Sequence, residues 1–382
     1  MKFDLLSTSE SPTISPGPRL GHLQTTRSTI ATPVFMPVGT RATVKTLSNE
    51  DLESFGTKII LGNTYHLYLR PGHEIIGRLG GLHRFSGWKE SFLTDSGGYQ
   101  IFSLKTLNKI DDDGVSFQSH IDGSRHRFTP EFVIDIQIAL GADIIMPLDV
   151  CSPYPTDEKT SLIDMQRTLK WVTASFDHFR KNEKSEYKQS LFAIVQGSIY
   201  SSQRLECLEQ MLHLNPPGIS IGGLAVGEPK EDRQRILEDL MPHIPDNLPR
   251  YMMGVGTPED ILDMVEMGID MFDCVMPTRN ARNGTLFTRY GKMIIKSARY
   301  IEDSRPVDES CGCPACQRYS RAYIRHLLAV NEILGLRLAT LHNIYFYLKL
   351  MEQIRAAFED NKFVQFKKQF LEYFSVGVDN LA

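Results

Sequence analysis

Eight short apolar runs set the frame of this chain: residues 32–37, 58–62, 91–94, 143–148, 191–195, 218–222, 250–253 and 271–273. Half of them end in glycine or a polar residue, and helical patterns separate several of them. Thr129-Pro130-Glu131 supplies an N-cap, a proline at the first helical position and a first-turn acid ahead of residues 132–140. Thr257-Pro258-Glu259-Asp260 repeats the device ahead of residues 261–267. Strands alternating with helices build parallel βαβ units, and eight of them predict an α/β fold, a closed (β/α)8 TIM barrel. A chain of 382 residues fits one such barrel.

Between the third and fourth runs, residues 115–128 alternate like a β-hairpin turning at Asp122-Gly123, expected at the rim of the barrel mouth. Met1 is not followed by a charged start and an apolar core of the kind that marks a secretory signal, and no apolar run approaches membrane-spanning length. Cys151, Cys207 and Cys274 are widely separated and suggest no disulfide framework, so a reducing cytoplasm is expected and no membrane.

The other three cysteines form Cys311-Gly-Cys313-Pro-Ala-Cys316. This run is too tight for mutual disulfides but brings three thiolates within reach of one tetrahedral metal. His342 is the expected fourth ligand in preference to His326, and a closed Cys3His set binds zinc for structure because it leaves no open position. The alternative is a reduced, solvent-facing cysteine cluster. One structural Zn2+ per subunit is therefore expected, in a zinc-binding subdomain over 286–344 inserted before a last helix at about 345–374. Residues 1–285 and 345–382 would form the barrel.

Net charge is −4, yet residues 279–337 hold 11 Lys/Arg against 5 Asp/Glu, a local +6 that leaves −10 elsewhere. A basic sector beside a metal site on an acidic body suggests a polyanion docked on one side, against the plainer alternative of a solvated surface.

Barrel enzymes build their sites at the C-terminal ends of the strands. Here those ends carry Asp95, Asp149, Gln196, Gly222-Gly223 and Asp273. One Asp after a strand is commonly a cap or turn former, but three acids, an amide and a glycine pair converge on one mouth. Two carboxylates facing a sugar carbon support double displacement, one as nucleophile and one as acid then base. A further Asp with a Gln suits the edge of a nucleobase, the glycine pair admits close backbone approach, and Tyr99 and Met253 offer stacking faces.

Several longer motifs carry a resemblance. Asp95-Ser-Gly-Gly-Tyr-Gln100, Val195-Gln-Gly197, Gly222-Gly-Leu-Ala-Val-Gly-Glu228, Tyr251-Met-Met-Gly-Val-Gly256 and Phe272-Asp-Cys-Val-Met-Pro-Thr-Arg-Asn-Ala-Arg-Asn-Gly284 closely resemble the queuine tRNA-ribosyltransferase family, the bacterial-type tRNA-guanine transglycosylases. The resemblance covers roughly residues 35–350 and includes the Cys3His set. It implies exchange of guanine at the wobble position of GUN-anticodon tRNAs for a 7-deazaguanine base, queuine or its aminomethyl precursor, in queuosine modification. It implies Asp273 as nucleophile and Asp95 as general acid/base. Asp149, Gln196 and the Gly223 backbone would read the base edge with the Leu224 carbonyl near its substituent, Tyr99 and Met253 would sandwich the base, and Arg279 and Arg282 would grip the anticodon loop. A homodimer with tRNA as partner is also implied.

One position departs from the pattern: Val150 stands where bacterial members usually carry Glu, which implies a weaker hold on the cationic precursor and measurable use of queuine. Val226 keeps the bacterial pattern and points the other way. Rival readings are a non-catalytic partner subunit, which would be expected to lose its nucleophile or metal ligands, and a retaining glycosidase, which would be expected to carry a tryptophan-rich cleft. The chain keeps Asp95, Asp273 and all four ligands, and has two tryptophans.

Overall fold

The computed structural model describes residues 1–8, 16–103, 108–182 and 188–378. Each of the eight apolar runs holds a strand. They are β1 Val34–Gly39, β2 Ile59–Gly62, β3 Ser91–Thr94, β4 Ile144–Ile145, β5 (residues 190–195), β6 Ile219–Ile221, β7 Arg250–Met252 and β8 Met271–Cys274. All neighbours pair in parallel, and β8 returns to β1 with Asp273 opposite Met36. β5 consists of two hydrogen-bonded pieces, Ser190–Leu191 and Ala193–Val195, so the sheet counts nine segments. At Phe192 this strand changes partners: its N–H donates to the Ile145 carbonyl (3.1 Å), and the next N–H, of Ala193, donates to Gly218 (3.1 Å). The result is a nearly closed parallel barrel.

Alternation along the strands sorts side chains into two cores. Met36, Val38, Leu61, Leu93, Ile194 and Met271 meet one another, which side chains from strands on opposite sides do only inside a barrel. Their neighbours Phe35, Ile60, Phe92, Ile145, Val195 and Phe272 pack outward against the helices. An antiparallel meander of Lys2–Thr8, Arg19–Gln24 and Thr29–Thr32 adds Phe3, Leu23 and Ile30 to the inner cluster. These contact the side where strands begin, so the barrel is plugged at its N-terminal end and the mouth is left for chemistry.

The two Thr-Pro devices form as expected. Thr129 accepts from the Phe132 amide at the head of helix Pro130–Leu140, and Thr257 from the Asp260 amide at the head of helix Pro258–Glu266. The expected hairpin is part of a three-stranded antiparallel sheet, Asn108–Asp111, Gly114–Gln118 and Arg125–Phe128, with the Gly123 N–H on the Ser119 carbonyl at the turn (2.9 Å). Tyr65 and Tyr68 of helix Thr64–Leu69 join their hydroxyls to Nδ1 of His120 (2.7 Å) and His126 (2.9 Å), docking this sheet beside the helix that follows β2. No helix among the described residues is long and apolar enough to cross a membrane.

The last helix differs from expectation. It is two helices, Ile333–Glu359 and Phe363–Val376. The first starts before residue 345, so His342 lies well inside it rather than at its head. Beyond Gly335 neither glycine nor proline interrupts this stretch, and the helix ends where Asn361 takes a left-handed conformation (φ 56°).

At the plugged end, Asp270 is fully buried and accepts from Arg19 Nε (2.9 Å), Arg19 Nη2 (2.7 Å) and the Arg250 amide (2.7 Å). Removing one partner of such a pair strands a buried charge. Asp270→Ala should lower the unfolding free energy by about 3–5 kcal/mol, measured by denaturant titration; a loss near 1 kcal/mol would mean that Arg19 finds other acceptors.

Candidate active site and metal centre

Asp273 ends the inner face of β8. Its Oδ1 accepts from the Tyr251 hydroxyl (2.6 Å) and the Gly254 amide (2.9 Å). Among the described residues both bonds fall on one oxygen, which leaves the other available. Burial raises this carboxyl above its ordinary range, and the two hydrogen bonds oppose the shift. Asp95 follows β3 and is held from β2: Asn63 Nδ2 donates to Oδ2 (2.6 Å) and the Thr64 amide to Oδ1 (2.8 Å). Burial, with the Asp273 charge as a smaller contributor, pushes Asp95 up to about 7. Around neutral pH it therefore exists in both protonation states, as a proton shuttle requires.

Asp149 and Gln196 form a second group. Gln196 Nε2 donates to Asp149 Oδ2 (2.7 Å), and burial raises Asp149 to about 6 against that bond. The glycine pair after β6 has a direct steric cause. A Cβ at Gly222 would lie 2.5 Å from Gln196 Nε2, one at Gly223 closer still to Oε1, and Gly223 is left-handed (φ 63°). The pair thus leaves room for the Gln196 amide. Beyond it, Glu228 accepts from the amides of Ala225 (2.6 Å) and Val226 (2.9 Å). In a trans peptide the Leu224 carbonyl must point away from the Ala225 N–H, hence away from Glu228. Tyr99 lies 61% exposed near the start of helix Gly98–Ser103, and half-buried Met253 packs on the inner core at the end of β7.

Helix Met276–Asn283 leaves β8 directly and carries Arg279 and Arg282. Lys45 is held below its ordinary range by burial and then by Arg282, Arg41 and Arg279. Four cations therefore share one edge of the mouth, only two of which lie in the basic stretch read from the sequence.

Cys311, Cys313, Cys316 and His342 come together with all ligand atoms within 4.8 Å of one another. The three Sγ atoms lie 3.7, 3.5 and 3.3 Å from His342 Nδ1. A tetrahedral ion with bonds of about 2.0–2.3 Å has ligand–ligand edges of roughly 3.5 Å, so the set fits a metal. His342 Nε2 donates to the Phe287 carbonyl (2.7 Å), which leaves Nδ1 as the lone-pair nitrogen facing the sulfurs.

The family model for queuine tRNA-ribosyltransferase matches residues 15–375. The chain belongs to this family. It is similar to the queuine tRNA-ribosyltransferase of Thermoanaerobacter sp., 56% identical over 354 residues and 93% of each chain. It also resembles those of Fusobacterium nucleatum, 52% identical over 93% of this chain and 94% of the relative, and Desulforamulus reducens, 48% identical over 94% and 96%. Membership makes it a pentosyltransferase, a tRNA-guanine transglycosylase.

For a transglycosylase of this family the sequence reading overlooked the groups that hold the carboxylates. Asn63 and Thr64 follow β2 as Asp95 follows β3, and that position was the available signal; Tyr251, inside an apolar strand, gave none. Val150 is only 3% exposed in the outer core, with its N–H on Thr168 Oγ1 (3.0 Å) of helix Glu158–Asn182.

The Asp95 shift has a stability consequence. Its folded value, about 7, exceeds the ordinary 3.8. The folded chain thus binds the extra proton between those values, and stability is lost as pH rises through them. Asp95→Asn should therefore gain stability over the parent at pH 8 relative to pH 4, read by denaturant unfolding at both; an equal difference at the two pH values would remove the shift.

Proposed function

We propose that this transglycosylase replaces guanine at the wobble position of GUN-anticodon tRNAs by a 7-deazaguanine base, queuine or its aminomethyl precursor, through a covalent enzyme–tRNA intermediate. The observation that carries the reading is the unequal pair at the mouth: among the described residues both hydrogen bonds to Asp273 fall on one carboxylate oxygen, while Asp95 titrates at about 7. The free Asp273 oxygen attacks the ribose C1′, the bond to guanine breaks, and Asp95 gives its proton to the departing base. The incoming base then returns a proton to Asp95, its nitrogen attacks C1′, and Asp273 is released. Asp149, Gln196, the Gly223 backbone and the Leu224 carbonyl read the base, with Tyr99 and Met253 on its faces. Arg279 and Arg282, joined by Arg41 and Lys45, take the anticodon loop.

The remaining assignments follow the same reading. Residues 1–285 and 345–382 act as the barrel and 286–344 as the RNA-facing module. The metal is zinc, one per chain and structural, since three thiolates and an imidazole complete its shell. A homodimer is supported by the apolar side chains left on the Cys3His-bearing region, among them Ile333, 76% exposed, and Val330, 53%, and a tRNA substrate fits a cytoplasmic setting.

The test of the reaction is mass spectrometry of denatured enzyme trapped with an anticodon-stem RNA and a base analogue. The parent should carry one RNA per active chain, and Asp273→Asn none, because a carboxamide is a poor nucleophile; an adduct at parental level in the variant would reassign the nucleophile. For the metal, Cys313→Ala should lose zinc and weaken RNA binding together, because metal binding and folding are coupled; a metal-free parent that binds RNA normally would refute the assignment.

A further inference from the structure

Arg204 has no part in the chemistry above, yet it is among the most deeply buried charges of the molecule. It sits on helix Ser201–His213 and is 1% exposed. Its Nε donates to the Ser198 carbonyl (2.6 Å), Nη1 to Val195 (3.4 Å) and Nη2 to Gly223 (3.2 Å). Among the described residues it forms no ion pair within 4 Å, although Glu228 exerts a favourable field on it. Burying a guanidinium on carbonyl oxygens alone is costly, so what those carbonyls do matters.

The Val195 carbonyl belongs to the peptide that leads into Gln196, and the Gly223 carbonyl to the peptide that leads into Leu224. They come from β5 and from the loop after β6, and one planar cation bridges them. Because the peptide is trans, a Gly223 carbonyl turned to Arg204 forces the Leu224 N–H to the other side. The same helix supplies Cys207, whose Sγ accepts from the Gln196 amide (3.4 Å). Ser198 is left-handed (φ 48°), unusual for a residue with a side chain, and its carbonyl takes the shortest of the Arg204 bonds. Gly197 is also fitted to this group: a Cβ there would lie 2.9 Å from Arg204 Cγ.

We propose that Arg204 is a positioning residue for base recognition, which fixes Gln196 relative to the Gly223–Leu224 peptide across two strands. This rests on the base-reading role proposed for Gln196 and Gly223. Arg204 does not touch the base. It sets the spacing of the groups that do, and Glu228 fixes the next peptide of the same loop.

The experiment is steady-state exchange of labelled guanine, with KM for the free base and KM for an anticodon-stem RNA measured separately for Arg204→Lys, Arg204→Met and Gln196→Ala. Arg204→Met should raise the base KM roughly ten- to hundred-fold, with the RNA KM unchanged within about two-fold. Arg204→Lys should recover part of the loss, since an ammonium can still meet one carbonyl. Equal rises in both KM values, a fall in kcat alone, or failure of both Arg204 variants to fold would overturn the proposal by making Arg204 a general structural group. If Gln196→Ala raises the base KM and the Arg204 variants do not, the proposal alone fails. If Gln196→Ala leaves the base KM unchanged, the base-reading assignment fails and the proposal with it.

Discussion

Pairing of the last barrel strand with the first is the constraint on which the rest depends. Asp273 reaches the mouth because β8 lies beside β1 in a fixed register, with Asp273 opposite Met36. The ring closes on its other side only because β5 exchanges partners at Phe192. Once closed, the inner face has no access to water except at the mouth, and the meander removes even the opposite opening. Side chains at the strand ends then have one place to go.

Desolvation at that place does the electrostatic tuning. Burial is the leading cause of the upward shift at Asp95, Asp149 and Asp273 alike. What separates the three is hydrogen bonding. Asp273 is held on a single oxygen, Asp95 is held from the neighbouring strand end, and Asp149 is tied to an amide. A common loss of water thus yields three different chemical characters, because the donors that replace water differ.

Helix Ile333–Glu359 connects the Cys3His group to the barrel mouth. His342 turns one ring nitrogen to the cysteines and the other to Phe287. The next residue, Asn343, accepts from the Phe287 amide and donates to the carbonyls of Pro277 and Thr285, each at 3.0 Å. Pro277 lies in the helix that carries Arg279 and Arg282, directly after the strand that ends in Asp273 and Cys274. Ordering the Cys3His group therefore orders the support beneath the cationic edge.

The barrel and the Cys3His cluster were legible because they rest on local signals: apolar runs of strand length, proline-bearing helix starts, and cysteine spacing that suits one tetrahedral metal. The residues at the strand ends were legible for the same reason, since a strand's end is visible in one dimension. The length of the helix around His342 was not, because its termini depend on packing against the barrel as much as on its own residues. Nor was the orientation of Val150, where a side chain next to an acidic mouth residue turns into the core. The sequence by itself determined which polar residues stand at the strand ends and the order in which the chain presents them. Only the tertiary structure decided that, among the described residues, both hydrogen bonds to Asp273 fall on one oxygen, why Gly222 and Gly223 leave room for Gln196, and that Arg204 joins β5 to the loop after β6. Those are contacts between residues of different elements, and their geometry exists only after the barrel has closed.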